Sequence, residues 1–485
     1  MLFNSFTFLI FFPVVVTIYF VIPHRYRWTW LLAASCYFYM AFIPVYILIL
    51  FFTIGIDYVA GILIENAEGK RRKSFLVMSI VANVGVLAVF KYFNFLNANA
   101  EAIAAVFKWP YGIPALDLIL PIGLSFHTFQ AMSYTIEVYR GRQPAERHLG
   151  IYALYVMFFP QLVAGPIERP QNLLPQLYQK HVFEYDRVAN GLRRMAWGLF
   201  MKVVIADRLA RYVNPVYNDI GSFEGLTLVL ATVFFAFQIY CDFAGYSHMA
   251  IGAAEVMGFR LMRNFNRPYL SQSIAEFWSR WHISLSTWFR DYVYIPLGGN
   301  RVAVPRWYLN LFVTFLLSGL WHGANWTFVI WGALNGFYLI MSLVTAGIRG
   351  RIAAVVGLVR HPNAHAALRV LVTFGLTCVA WVFFRANSLG DALHAFTGAI
   401  ARPTLHQVLP DILRAEGITK LEVAYSAMLI VALILFEIIQ RRVNVPRLFE
   451  AQPAWVRWPA YYAACMAIWL FGISGEAKAF IYFQF

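Results

Sequence analysis

Charge is scarce in this chain. Only 13% of its 485 residues are charged, and Asp and Glu together number 24. Cysteine is scarce too: Cys36, Cys241, Cys378 and Cys465 lie far apart in apolar sequence, with no C-x-x-C spacing. A disulfide framework and a thiolate metal centre are thereby excluded, and the four read as small core residues. Also missing are a G-x-S-x-G elbow, a Walker loop, a G-x-G-x-x-G turn after a strand and an H-E-x-x-H pair, so the common hydrolase, nucleotide and zinc signatures give no lead. There is no repeat period and no low-complexity tract.

What is present is apolar. Hydrophobic residues make up 60% and aromatics 18%, with a mean hydropathy of +0.61. Runs long enough to cross about 30 Å of hydrocarbon, roughly 20 residues each, recur from end to end with no soluble domain between them. The expected fold class is an all-α polytopic membrane protein forming one integral domain over 1–485. Within it, 1–115 would hold the N-terminal helices, 116–345 a motif-bearing core and 346–485 the C-terminal helices. Candidate spans lie near 2–22, 28–43, 45–64, 74–96, 117–137, 149–165, 191–211, 226–257, 307–321, 326–345, 366–384, 424–440 and 455–473. Several are too short or too polar to cross alone.

Lys and Arg exceed Asp and Glu by 39 to 24, a formal +15. In a membrane chain that excess marks cytoplasmic loops rather than nucleic-acid binding. Lys70 to Lys73 is the clearest marker, with Arg140 to Arg147, Arg193-Arg194, Arg349 to Arg351 and Arg441-Arg442 on the same side. No basic residue precedes Leu2 to Ile22, which reads as an uncleaved first span with its N-terminus outside. Leu32 to Cys36 looks faintly like a lipoprotein cleavage site, but its apolar lead is too short. Prolines 121, 160, 166, 170 and 175 break the region from 120 to 180, which predicts half-spanning segments packed inside protein, because irregular backbone cannot face lipid.

Two histidines stand out, because an intramembrane ionisable ring is costly unless it faces protein or a water-filled cavity. His322 lies in Trp321-His322-Gly323-Ala324-Asn325-Trp326, between two apolar runs. Basic residues precede and follow that pair of runs, so the chain goes in and returns. Residues 307 to 321 reach only about 22 Å as helix, which predicts that the turn stops inside the protein. The bland alternative is a histidine capping a broken helix. Near His282, Arg280, Ser284, Thr287 and Asp291 form a polar stripe while Trp278, Trp281, Leu285, Trp288 and Tyr292 oppose it, predicting one amphipathic helix with His282 turned inward. Here the alternative is an interfacial anchor helix.

A neutral imidazole, with an ordinary pKa of about 6.5, takes a proton from an attacking hydroxyl and returns it to a leaving group, which suits acyl transfer. Trp321, Trp326 and the aromatic lining would exclude the water that hydrolyses an activated donor. Asn325 is a candidate contact for a carbonyl oxygen, or equally the cap of the helix starting there. Asp242 either orients a catalytic ring or pairs with Arg385. His127 is as well explained by packing as by a site, Glu168, Arg169 and Arg290 as loop stitching, and His181 with Asp186 as a chance H-x-x-x-x-D spacing.

Several stretches, taken together, resemble the membrane-bound O-acyltransferase (MBOAT) family in its alginate O-acetyltransferase branch. They are Pro121 to Gln130, Phe159 to Ile167, Tyr240 to Ser247, Phe277 to His282, Trp321 to Trp326, Trp381 to Ala386 and Phe480 to Phe485. The resemblance implies a ring of about 11–13 transmembrane and re-entrant helices around a central tunnel. By the same resemblance His322 and His282 are the catalytic residues; the residues themselves offer Trp321, Asn325, Trp278, Trp281, Asp242 and His127 as substrate-binding candidates, and no metal is expected. It further implies a cytoplasmic acyl donor as co-substrate, acetyl-CoA among the possibilities, and no bound cofactor. A polysaccharide acceptor such as alginate, a periplasmic or membrane-anchored hydrolase-like partner and a multi-pass place in a bacterial inner membrane complete the expectation. The rival readings are a proton-coupled transporter or flippase for a polysaccharide precursor, which would show internal repeats and several intramembrane carboxylates, and a non-catalytic scaffold, which gives two inward histidines no purpose.

Overall fold

A computed structural model describes residues 1–401, 418–473 and 480–481. Among these residues the chain is helical and forms no strand, as expected of a polypeptide that must satisfy every backbone donor and acceptor within its own segment. Among the described residues six helices are long and apolar enough to cross a bilayer: Pro44–Asn66, Gly69–Phe107, Leu226–Met257, Trp326–Val344, Pro362–Arg385 and Lys420–Ile439. The shorter runs read from the sequence also become helices, too short or too polar to meet that standard alone. Of the terminal motif, Phe480 and Ile481 are described, while Tyr482 to Phe485 lie outside the described residues.

The chain divides into two compact units. The first comprises Met1–Met195 and Tyr246–Arg263. Its helices are α1 (Phe6–Val21), α2 (His24–Met40), α3 (Ile47–Asn66), α4 (Gly69–Leu87), α5 (Phe93–Phe107), α6 (Leu124–Tyr139), α7 (Leu149–Met157), α8 (Phe159–Leu162) and α9 (Pro170–Leu177). Ser5 starts α1 by accepting a hydrogen bond from the Phe8 N–H at 3.2 Å. The proline-broken region folds as the sequence predicts, into short segments packed in protein. Every residue from Ile151 to Glu168 is buried. Pro160 and Pro170 stand in the first turns of α8 and α9, where a missing N–H costs nothing.

The second unit comprises Ala196–Gly245 and the described residues from Asn264 onward. Helix α10 (Tyr185–Phe200) leads into it and continues through a π-helical stretch, Met201–Ala206, to α11 (Asp207–Asn218). α12 (Leu226–Met257) gives its residues up to Gly245 to this unit and those from Tyr246 to the other. There follow α13 (Ile274–Arg280), α14 (Ile283–Phe289), α15 (Val304–His322), α16 (Trp326–Val344), α17 (Ala346–Val355), α18 (Pro362–Arg385), α19 (Leu389–Ala401), α20 (Lys420–Ile439), α21 (Val445–Glu450) and α22 (Ala454–Phe471).

Two expectations change. The single amphipathic helix around His282 is two helices, α13 and α14, because His282 takes a left-handed backbone, φ +43°, and breaks the run. And α15 begins at Val304 and includes His322, giving 19 residues or about 28 Å. Helix length therefore does not stop the His322 turn partway, as the shorter estimate required.

Candidate active site

His322 is placed by a helical hairpin whose two backbones touch. A Cβ on Gly319 would lie 2.3 Å from the Phe328 carbonyl oxygen and 3.0 Å from Gly332 Cα, and one on Gly332 would lie 2.4 Å from the Phe315 carbonyl oxygen. Only glycine at both positions lets α15 and α16 approach so closely, the small-residue contact that holds helices together in lipid. His322 is the last residue of α15, and Gly323 continues in extended backbone. Asn325 then caps α16, its Oδ1 accepting from the Thr327 N–H at 3.0 Å, while its Nδ2 donates to the Asn387 carbonyl at 3.3 Å. Both ends of that amide are engaged, which favours the capping role over a carbonyl contact.

The ring of His322 is boxed by aromatics. Trp321 and Trp331 each meet it edge to face with centroids 4.8 Å away, and Phe384 of α18 does so at 5.3 Å. The residue is 4% exposed. Trp326 does not belong to this box: it is 50% exposed, because the N-terminus of α16 turns it away. Trp331 takes the place expected of it. Trp331 in turn stacks on Trp381 at 6.1 Å and meets Phe384 at 5.3 Å.

His282 sits at the break between α13 and α14 and is wholly buried. Its positive φ, uncommon for any residue but glycine, is held by a clamp from an extended segment. The Asn266 N–H donates to the Arg280 carbonyl and the Ile283 N–H to the Asn264 carbonyl, each at 2.9 Å. The Asn264 side-chain oxygen accepts from Ser284 Oγ at 2.7 Å and from the Ser284 N–H at 3.3 Å. Asn264 gave no signal in the sequence, since its partners are remote in the chain. The His282 ring meets Phe243 edge to face at 4.5 Å and lies 6.2 Å from Trp321. Trp321 thus contacts both histidines.

The tryptophans flanking His282 serve the frame. Trp278 donates from Nε1 to Asn335 of α16 at 3.3 Å and packs on Phe315 and Trp331. Trp281 is buried against Trp381 at 5.0 Å and Phe265 at 5.1 Å. Trp381 donates to the Tyr269 hydroxyl at 3.2 Å, which donates to the Ala236 carbonyl at 2.6 Å. These contacts join α12, α13, α16 and α18 around the two histidines. The Trp381 to Ala386 stretch carried that signal as a motif but not as part of a site.

Asp242 does not pair with Arg385. Its Oδ1 lies 2.7 Å from Lys202 Nζ, and its Oδ2 accepts from the Ile481 N–H at 2.7 Å. Lys202 also pairs with Asp207 at 2.9 Å. Arg385 instead donates to Asn214 and Asn218 at 3.3 and 3.1 Å and lies over the Tyr217 ring. Asp242 reaches the site through packing, since the adjacent Phe243 touches both His282 and Phe480. His127 belongs to the first unit, where its Nε2 lies 2.6 Å from Thr53 Oγ1. Glu168, also buried there, accepts from Asn172 and the Met262 N–H, and His181 Nε2 contacts the Gln176 carbonyl.

Comparison with known proteins identifies the family. Residues 148–384 match the model of the membrane-bound O-acyltransferase family. A probable alginate O-acetylase, AlgI, of Azotobacter vinelandii is 40% identical over 93% of this chain and 86% of its own length. Its counterpart in Pseudomonas aeruginosa is 42% identical over 80% of this chain and 73% of its own. The peptidoglycan O-acetyltransferase of Helicobacter pylori is 35% identical over 76% and 73%. With likeness of that degree over most of each relative, and with the matched region enclosing both histidines and their aromatic frame, the chain belongs to the membrane-bound O-acyltransferase family.

Proposed function

We propose that this membrane O-acyltransferase moves an acetyl group from a cytoplasmic donor across the membrane for O-acetylation of an exported polysaccharide, with His322 as general base. The observation that carries the reading is the position of His322 at the turn of the α15–α16 hairpin, in a box of Trp321, Trp331 and Phe384. A basic nitrogen in aromatic surroundings can take a proton while water is kept from the activated acyl group. The names of the relatives, which act on alginate and on peptidoglycan, support acetyl as the group and a polysaccharide as the acceptor.

With acetyl-CoA as donor, the acceptor oxygen bonds to the carbonyl carbon as its proton passes to the His322 imidazole. The C–S bond then breaks and the same proton goes to the departing sulfur, leaving an acetyl ester and a free thiol. His282 keeps Trp321, and through it His322, in register. A hydrolase-like partner outside the membrane completes delivery to the polymer, and the protein resides in the inner membrane of a bacterium.

The test is purified protein in lipid nanodiscs, supplied with acetyl-labelled donor and an oligosaccharide acceptor, with and without the partner. Label transfer that disappears in His322→Ala supports the reading. Transfer that persists in that variant, or flux of a precursor driven by a proton gradient with no acyl chemistry, overturns it.

A further inference from the structure

The first unit holds a cavity of about 200 Å³ walled by the start of α2, by α7 and by the end of α9. That is far more than the roughly 10–15 Å³ that one water needs by a like measure. Its wall has two characters. Leu31, Ile151, Leu154, Leu177 and Phe259 supply apolar lining, while His24, Arg25, Arg27 and His148 supply basic groups. Among the described residues no carboxylate lines it.

Arg27 is the informative member. It is only 8% exposed, yet among the described residues its hydrogen bonds go to backbone carbonyls, those of Ile22, Phe20 and His181, and its guanidinium lies 4.8 Å over the Tyr19 ring. Carbonyls and a ring face solvate a cation without neutralising it, and a buried charge calls for a counter-charge. Beside it, His24 contacts the Tyr178 carbonyl through Nε2 at 3.2 Å, and its Nδ1 is buried with no hydrogen bond. The acid joined to this wall, Glu146, is occupied by the Tyr178 hydroxyl at 2.6 Å and the His148 N–H at 2.8 Å. Glu184 is paired with Arg187 at 2.9 Å.

An apolar wall beside an uncompensated arginine fits a ligand that is itself half apolar and half anionic. The charge pattern puts the segments bearing Arg27 and His148 on the cytoplasmic face, the level of anionic headgroups. We infer that this cavity binds a phosphate-bearing amphiphile, an anionic phospholipid of the surrounding leaflet, its phosphate toward Arg27, Arg25 and His24 and its apolar part toward Leu31, Leu154 and Leu177. The inference stands independently of the acetyl-transfer reading.

The experiment is native mass spectrometry of the full chain in detergent micelles, titrated with phosphatidylglycerol, phosphatidylcholine or inorganic phosphate. Phosphatidylglycerol adducts should outlast phosphatidylcholine adducts, and Arg27→Gln should reduce their occupancy roughly tenfold, as the loss of a charge-assisted contact does. Should Arg27→Gln not fold, the double variant Arg25→Gln, His24→Gln carries the same expectation, and folding of each is checked by thermal unfolding. Equal retention of the two lipids overturns the inference, as does unchanged phosphatidylglycerol occupancy in a folded variant. Binding of inorganic phosphate without any lipid preference assigns the basic wall to a soluble ligand and likewise overturns it.

Discussion

The ring of Trp321 lies 4.8 Å from that of His322, edge to face at 76°. The same indole is 6.2 Å from His282, so one side chain contacts both histidines although they stand on different helical segments. Trp321→Ala should therefore lower turnover while leaving the chain folded enough to purify. Trp321→Phe, which keeps the edge-to-face contact, should recover most of it. The comparison is between kcat values in nanodiscs, and equal loss in both variants would refute the packing role.

His322→Gln should cost on the order of 10²–10⁴ in kcat, the usual worth of a general base. His282→Gln should lose less if, as proposed, His322 takes the proton while the His282 ring packs on Phe243 and Trp321. If His282→Gln were the more damaging of two folded variants, the roles would have to be exchanged.

Gly319→Ala and Gly332→Ala should each loosen the hairpin, since the added carbon meets backbone oxygen at 2.3 and 2.4 Å. Overpacking of that kind costs about 1–3 kcal/mol or more. A lower unfolding temperature in detergent, with activity falling in step, is the expected result. An unchanged melting curve would show that the helices can part freely.

Lys202 pairs with both Asp242 and Asp207, all three almost fully buried. Lys202→Met leaves two buried acids without their cation, a loss of about 3–5 kcal/mol. Adding Asp242→Asn to that variant should restore part of the stability. A double-mutant cycle with no coupling between the two positions would sink the claim that they act as a pair.

Asn325→Ala should cost about 1 kcal/mol as a lost helix cap, and Asn325→Asp or Asn325→Ser should restore it. Activity should track stability through this series. A drop in kcat for Asn325→Asp at full stability would instead mark the amide as a substrate contact.

The helices were legible because hydrophobic runs and their breaks are local properties. α12 falls on 226–257 as read, and α18 and α20 lie within a few residues of their expected limits. The break at His282 was not legible. Periodicity counts residues along one continuous helix, and Arg280 to Asp291 satisfies that count equally well whether or not the helix is interrupted. The clamp from Asn264 and Asn266 imposes the left-handed turn, and a pattern within 274–294 carries no information about it.

The sequence by itself determined that this is an all-helical membrane chain and that His282 and His322 are its unusual polar members. Both follow from composition and from the cost of placing a titratable ring among apolar residues. Tertiary structure alone decided that Trp331 and Phe384, rather than Trp326, close around His322, and that Asp242 answers Lys202 rather than Arg385. The physical reason is that a side chain's direction on its own helix is set by the backbone turn, but what it meets there depends on which other helix comes alongside.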